Sequence, residues 1–410
     1  QDAFIETDEM PRERREKLAL LSDERKYFQN KPMFSALCYS NDEIRRDMVE
    51  AYVECVKNNR DVDFIHFWLS DGCNNHCECE KCRDTRPADY YVSMLNDIDA
   101  RLTEENIDTK IVFLIYVDLL WAPEKTRLLN PDRFIMMFAP ITRLFNESYK
   151  IKHDEALRPY ERNKLIWPAT PCENLLYLNE WRKTFSGETF VFDYHLIWNH
   201  FKDMGYAHIS KILAEDIEAY DECGLSGLLS AQVTRAHFPT NLPMYTMARK
   251  LWNKNEDYEK ISREYYKEAF GADWAHAKKY CEKISDAFQA IYSFDAGKRN
   301  ENEEKTLLSK VRGAAEELAR QNVRADGFDE EVHWYSLNVH MDLTETIAEM
   351  LDLLYRGKLE DAEAKKAEAF NIARESEKTL FRSFDTKTFI FIWQIIFDSI
   401  VDGNAAMVQD

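Results

Sequence analysis

The stretch Phe67-Trp68-Leu69-Ser70-Asp71-Gly72-Cys73-Asn74-Asn75-His76-Cys77-Glu78-Cys79-Glu80-Lys81-Cys82 runs from apolar residues to a carboxylate and then to a knot of thiols. An acid at the carboxyl end of a buried strand lies where parallel α/β proteins place their chemistry. A turn Asp before Gly is the plainer reading, and on these residues alone the two are even. Cys77, Cys79 and Cys82 form C-x-C-x-x-C, a spacing that lets several thiolates meet one tetrahedral ion at little loop cost. Cys38 closes the preceding β-run and can supply a fourth thiolate, giving a zinc ligand set of Cys38, Cys77, Cys79 and Cys82. Disulfides or free buried thiols would suit the same loop. Four such ligands saturate zinc, so the ion would be structural and catalysis would need no cofactor; a zinc-dependent hydrolase would require an open coordination position there.

Two further acids sit at the ends of β-runs and beside aromatic rings. Tyr116-Val117-Asp118 precedes Trp121, and Asp193-Tyr194-His195 precedes Trp198. Paired carboxylates are what glycoside cleavage needs, one to protonate the leaving oxygen and one to attack or stabilise the cation-like centre. The candidate catalytic residues are therefore Asp71, Asp193 and Asp118. Any one of them taken singly is more simply a cap or an ion-pair partner. A late β-run leads into Gln232-Val233-Thr234-Arg235, polar groups suited to hydroxyls or to a carbonyl oxygen, or equally to a hydrogen-bonded loop. Tyr116, Trp121, Tyr194, His195, Trp198, Gln232 and Arg235 are the candidate substrate-binding residues.

The elements that would position these groups fall into two regimes. β-rich runs at Phe34 to Tyr39, Phe64 to Ser70, Ile111 to Leu119, Arg133 to Ala139, Thr189 to Tyr194 and Gly227 to Ala231 alternate with amphipathic helices. One such helix, Asp42 to Lys57, is opened by Ser40 and Glu43 at capping-box spacing. Repeated strand–helix units predict a parallel sheet in right-handed βαβ order, of which a (β/α)8 TIM-like barrel is the closed form. Six runs are too few to close eight strands, so the barrel is incomplete in this chain, or two strands are missed. Beyond about residue 243 the β-runs stop and helical spacing takes over, as in Ile284, Phe288, Ile291 and in Leu343, Ile347, Leu351. The charge run Asn300 to Lys305 reads as a solvated face or loop. The expected division is an N-terminal extension at 1–30, a barrel-like catalytic domain at 31–242 and a C-terminal α-helical domain at 243–410.

Composition narrows the partners. A formal net charge of −20 argues against nucleic acid, which needs clustered Lys and Arg. No apolar run is long enough to enter and cross a membrane, and no signal peptide is visible. Nine cysteines, an odd number, do not read as a small secreted disulfide scaffold and favour a reducing, cytoplasmic setting. Aromatic residues at 13% supply core and, near strand ends, stacking faces for sugars, so an uncharged carbohydrate partner fits best.

The string Leu37-Cys38-Tyr39-Ser40-Asn41, then Ser70-Asp71-Gly72 leading to Cys77-Glu78-Cys79-Glu80-Lys81-Cys82, then Tyr116 with Pro123, then Phe192-Asp193-Tyr194, resembles the domain-of-unknown-function 4838 family. Some of its members are placed in glycoside hydrolase family 163. The resemblance covers roughly residues 30 to 270, with the Cys-x-Cys-Glu-Lys-Cys string and its upstream Asp the most specific part. It implies a (β/α) barrel followed by helices, and bacterial-type glycan metabolism through endo-β-N-acetylglucosaminidase action on N-glycans. Asp71, Asp193 and Tyr194 match the pattern, whereas Asp118 is argued from position alone. Many relatives carry Glu in the loop after the late strand where this chain has Ala231-Gln232, so no catalytic carboxylate transfers there. Relatives also usually continue N-terminally, which makes this chain a fragment, a shortened member or one part of an assembly. The expected function is therefore a retaining glycoside hydrolase acting on β-linked N-acetylhexosamine, the alternative being a catalytically inactive glycan-binding or scaffold protein of the same fold.

Overall fold

The computed structural model describes residues 15–295, 301–321 and 328–402. Residues 1–14 of the expected N-terminal extension, and Asn300, lie outside the described residues. Among those described, the chain divides into two compact units. The first takes the residues up to Arg143 with His153–Asp193 and Glu222–Leu229; the second takes Leu144–Lys152, Tyr194–Asp221 and the residues from Ser230 onward.

The first unit opens with a short hairpin, β1 (Leu20–Leu21) and β2 (Glu24–Arg25). Ser22 and Asp23 both take positive φ, 47° and 70°, the turn geometry whose twist matches a two-residue hairpin. Helix α1 (Asp42–Lys57) follows, and it starts where the sequence predicts. Its cap is Asn41 rather than Ser40: the Asn41 side chain accepts from Glu43 N at 2.9 Å. The Ser40 hydroxyl is turned instead toward Cys38 and Cys79.

Five parallel strands follow, β3 (Phe64–Phe67), β4 (Lys110–Tyr116), β5 (Phe134–Ala139), β6 (Thr189–Leu196) and β7 (Leu228–Gln232), paired in that order. The central pair is apolar almost throughout and buried on both faces, as a parallel sheet covered on both sides requires. The sheet is curled. The Trp68 ring, just past β3, lies 6.3 Å from the Phe192 ring on β6, although β4 and β5 separate the two strands. Among the described residues the sheet is thus an open half-barrel of five strands, and the closed (β/α)8 barrel is not formed. Phe34 to Tyr39, expected as a strand, joins no sheet. It makes a single antiparallel bridge, Leu18 to Leu37, and the turns Tyr39 N to Leu37 O and Asn41 N to Cys38 O bend the chain before a ladder can extend.

Helix α2 (Pro87–Glu104) fixes the register of the strand ends. Its buried Tyr91 donates its hydroxyl to Phe67 O and accepts from Leu114 N at 3.0 Å, bridging β3 to β4 just where the functional loop departs. Helix α3 (Pro171–Arg182) buries Trp181, whose indole N–H donates to Leu119 O at 2.8 Å and holds the turn after β4.

The second unit is helical: α4 (Ala207–Ala219), α5 (Leu242–Trp252), α6 (Tyr258–Phe270), α7 (Trp274–Asp295), α8 (Glu301–Ala319), α9 (Phe328–Tyr355), α10 (Leu359–Leu380) and α11 (Thr386–Val401). Ile284, Phe288 and Ile291, with Leu343, Ile347 and Leu351, lie in its core as their spacing predicts. The expected solvated charge run departs from expectation at one residue, because Glu304 is buried on α8. Among the described residues no helix is long and apolar enough to cross a membrane.

Candidate functional site

Asp71 lies four residues beyond β3 and is exposed to solvent, while Tyr116 ends the adjacent β4. The surrounding protein desolvates the Asp71 carboxyl and raises its pKa; the Tyr116 hydroxyl donates to it and partly offsets that rise. Burial, and then the Asp71 charge, push the Tyr116 hydroxyl well above its ordinary value, so at neutral pH it stays a donor. Gly72 explains the course of the chain. A Cβ there would lie 1.9 Å from Phe34 O, so only glycine lets the loop pass this close to another backbone.

The loop is then stapled to the segment 158–166 by two asparagines, each in the left-handed region that Asn tolerates better than most residues, Asn74 at φ 51° and Asn163 at φ 56°. Asn163 accepts from His76 N at 2.8 Å and donates to His76 O at 2.7 Å. Asn74 does the converse, accepting from Leu165 N at 2.8 Å and donating to Leu165 O at 3.2 Å. Each side-chain amide thus stands in for a peptide group and satisfies both backbone groups of a residue on the other segment. Arg162 adds donors to the carbonyls of Cys77 (3.1 Å), Cys82 (2.8 Å) and Thr85.

Asp118 is drawn into the same clamp. Its buried carboxylate accepts from Asn74 N at 2.7 Å and lies 3.2 Å from His76 Nε2. Asp118 and Asp71 are therefore tied to one loop, with Asp71 open to solvent and Asp118 turned to the loop's backbone. Sequence patterns did not reveal His76, Arg162 or Asn163 in these roles. The only local signal was the Asn74-Asn75 pair after Gly72, typical of a turn.

Just beyond the staple the Sγ atoms of Cys38, Cys77, Cys79 and Cys82 all lie within 4.8 Å of one another, with Cys38 to Cys79 at 3.8 Å and Cys38 to Cys82 at 4.0 Å. Tetrahedral zinc with ligand bonds of about 2.3 Å requires sulfur–sulfur edges of about 3.8 Å, so the donor set fits that ion. Hydrogen bonds from Cys77 and Cys82 pull the Cys38 thiol down, while Cys38 and Cys77 push that of Cys82 up, so the four titrate as a set. The set is held from outside by Leu20 N donating to Cys77 Sγ at 3.3 Å and by Glu78 N donating to Leu20 O at 2.8 Å, which engages the β1–β2 hairpin.

The remaining candidates are placed as follows. Asp193, on β6, is fully buried and paired with Arg143 at 3.0 Å. Trp121 is buried, donates to Arg158 O at 3.0 Å and packs edge-on against Tyr177. In the second unit Tyr194 stacks on Trp198 with centroids 6.4 Å apart, and buried His195 contacts Asp216 through Nε2 at 2.8 Å. Gln232 is exposed and accepts from the Ser230 hydroxyl. Arg235 pairs with Glu377 and Asp385 and donates to Phe381 O, tying it to the ends of α10 and α11.

A family model described as Domain of unknown function (DUF4838) matches residues 2–284. In structure the chain is similar to an O-GlcNAc hydrolase mutant from Thermobaculum terrenum, at 12% identity and TM-score 0.40, over 90% of this chain and 77% of that one. It is also similar to CpGH84B, at 12% identity and TM-score 0.26, over 86% and 67% of the two chains. No curated protein matches.

The staple makes a direct prediction. Asn163→Ala leaves the His76 peptide N–H and C=O without partners, at about 1–3 kcal/mol for each group stranded away from water. Urea unfolding of the variant should show a loss of about 2–4 kcal/mol, whereas a loss below about 0.5 kcal/mol would mean that the loop is held by other contacts.

Proposed function

This chain belongs to the DUF4838 family, and we propose that it is a glycoside hydrolase that cleaves glycans at a β-linked N-acetylhexosamine, with Asp71 as the proton donor. The observation that carries the reading is the Asp71–Tyr116 pair, an exposed carboxyl with a raised pKa in the loop after one strand and a hydroxyl donor at the end of the next. A general acid must hold its proton near working pH, and desolvation moves the Asp71 carboxyl in that direction. Asp71 gives its proton to the departing glycosidic oxygen as that bond breaks. The substrate's own acetamido oxygen closes on the anomeric carbon, and water opens the resulting ring with overall retention, returning a proton to Asp71. Participation by the substrate suits a site in which Asp118 and Asp193 are already engaged, with Asn74 and His76 and with Arg143. A chain with a net charge of −20 also suits a neutral sugar better than a polyanion.

Those engaged carboxylates favour a second reading, a glycan-binding protein without turnover. Asp71→Asn separates the two. The hydrolase reading predicts a fall of about a hundredfold or more in kcat on N-glycans and aryl N-acetylglucosaminides with the fold intact. A wild-type protein that binds these glycans without cleaving them, or an unchanged rate in Asp71→Asn, would contradict it.

The pH profile gives a further check. The acid works while protonated, so activity falls as pH rises through the raised Asp71 pKa. Removing the Tyr116 hydroxyl takes away a donor that favours the ionised carboxylate, so Tyr116→Phe should move the basic limb of kcat/KM to higher pH. A shift to lower pH would refute the pairing.

We also propose that the four-cysteine set binds zinc in a closed structural site. Elemental analysis should give one zinc per chain, and Cys82→Ser should lower both the zinc content and the melting temperature. Full reactivity of the four thiols in metal-free protein, with no change in melting temperature on adding zinc, would count against this.

A further inference from the structure

The first unit also carries a groove of about 480 Å³ that none of the proposed catalytic residues lines. We propose that it is a binding site for a neutral oligosaccharide.

Its volume falls in the range of small-ligand sites. Three aromatic residues line it: Trp121 packs edge-on against Tyr177 at 4.8 Å and against Tyr160 at 6.5 Å. Because Trp121 and Tyr177 are buried, the partly exposed Tyr160, with the Arg86 guanidinium 5.2 Å from its centroid, is the ring a ligand can reach. Aromatic faces suit the apolar C–H faces of sugar rings. The walls carry cations, but each is matched. Arg86 pairs with Glu124 at 2.6 Å, Lys183 with Glu180, and Arg158 with Glu173, which stands outside the lining. The groove therefore offers donors and acceptors side by side, with every cation already paired to a carboxylate.

That balance selects the ligand class. An anion would find its cations already neutralised, and an apolar ligand would strand five charged groups from water. A polyhydroxylated neutral molecule can donate to Glu124 and Glu180, accept from Arg86 and Lys183 and lay its carbon face against Tyr160.

The groove is also formed in advance. Trp121 donates to Arg158 O at 3.0 Å, and Arg158 N donates to the Tyr177 hydroxyl at 3.1 Å, so the crossing segment at 157–160 is fixed to the aromatic residues beneath it. Burial pushes the Tyr160 hydroxyl up to about 12, which keeps it a neutral hydrogen-bonding group. A preorganised site spends little affinity on ordering itself.

This inference does not depend on Asp71 chemistry, and the two can fail separately. The test is calorimetric titration of the full chain with chitotetraose, xylotetraose and mannotetraose. At least one should bind. Asp71→Asn should leave that affinity unchanged, and Tyr160→Ala should weaken it by about tenfold, the upper end of what one ring contact supplies. Leu157 is exposed at the groove, so Leu157→Trp obstructs it without touching the core and serves even if Tyr160→Ala fails to fold. The proposal is overturned if none of the three sugars binds, or if binding persists unchanged in Leu157→Trp.

Discussion

The site depends on one constraint: the loop from Asp71 to Cys82 leaves its strand without secondary structure of its own, so its backbone groups must find partners elsewhere. Buried peptide groups left unpaired would cost more than most tertiary contacts return. Asn74 and Asn163 solve this by exchanging side-chain amides for peptide groups across two chain segments. Asp118 and Arg162 close what the asparagines leave open, the first accepting a backbone N–H and the second capping carbonyls. The four thiols then sit at the far end of a loop whose course is already set, and a zinc ion there would lock that end.

This division of labour accounts for the three acids. Carboxylates at strand ends can serve either the chemistry or the scaffold, and burial with a committed partner marks the second. Asp118 holds the loop and Asp193 holds Arg143, each in surroundings where removing one partner would strand a buried charge. Asp71 is the exposed one, touched by a hydroxyl that tunes it rather than by a cation that would fix its charge. Its desolvation with access to solvent is what a proton donor needs.

Much of this was legible in the amino-acid order, for identifiable reasons. β4 and β5 are continuous apolar runs, which few structures other than a buried parallel strand accommodate in so short a length. The thiol set was legible because three of its members are local and the fourth ends a neighbouring run. Phe34 to Tyr39 misled because its composition suits a strand, while its turns are set by contacts with residues 17–19 and by the Asn41 cap. The 158–166 clamp left no trace, since its work is done by side chains pairing with backbone some 80 to 90 positions away, and no periodicity encodes that. The role of Asp118 was hidden for the same reason: its partners become neighbours only once the loop has folded back.

Carbon-13 titration of the Asp71 carboxyl, assigned by comparison with Asp71→Asn, tests the central claim most directly. The account predicts a midpoint above the ordinary aspartate value of about 3.9. A midpoint at or below that value would contradict it, because a carboxyl so easily ionised could not carry a proton to the bond it is proposed to cleave.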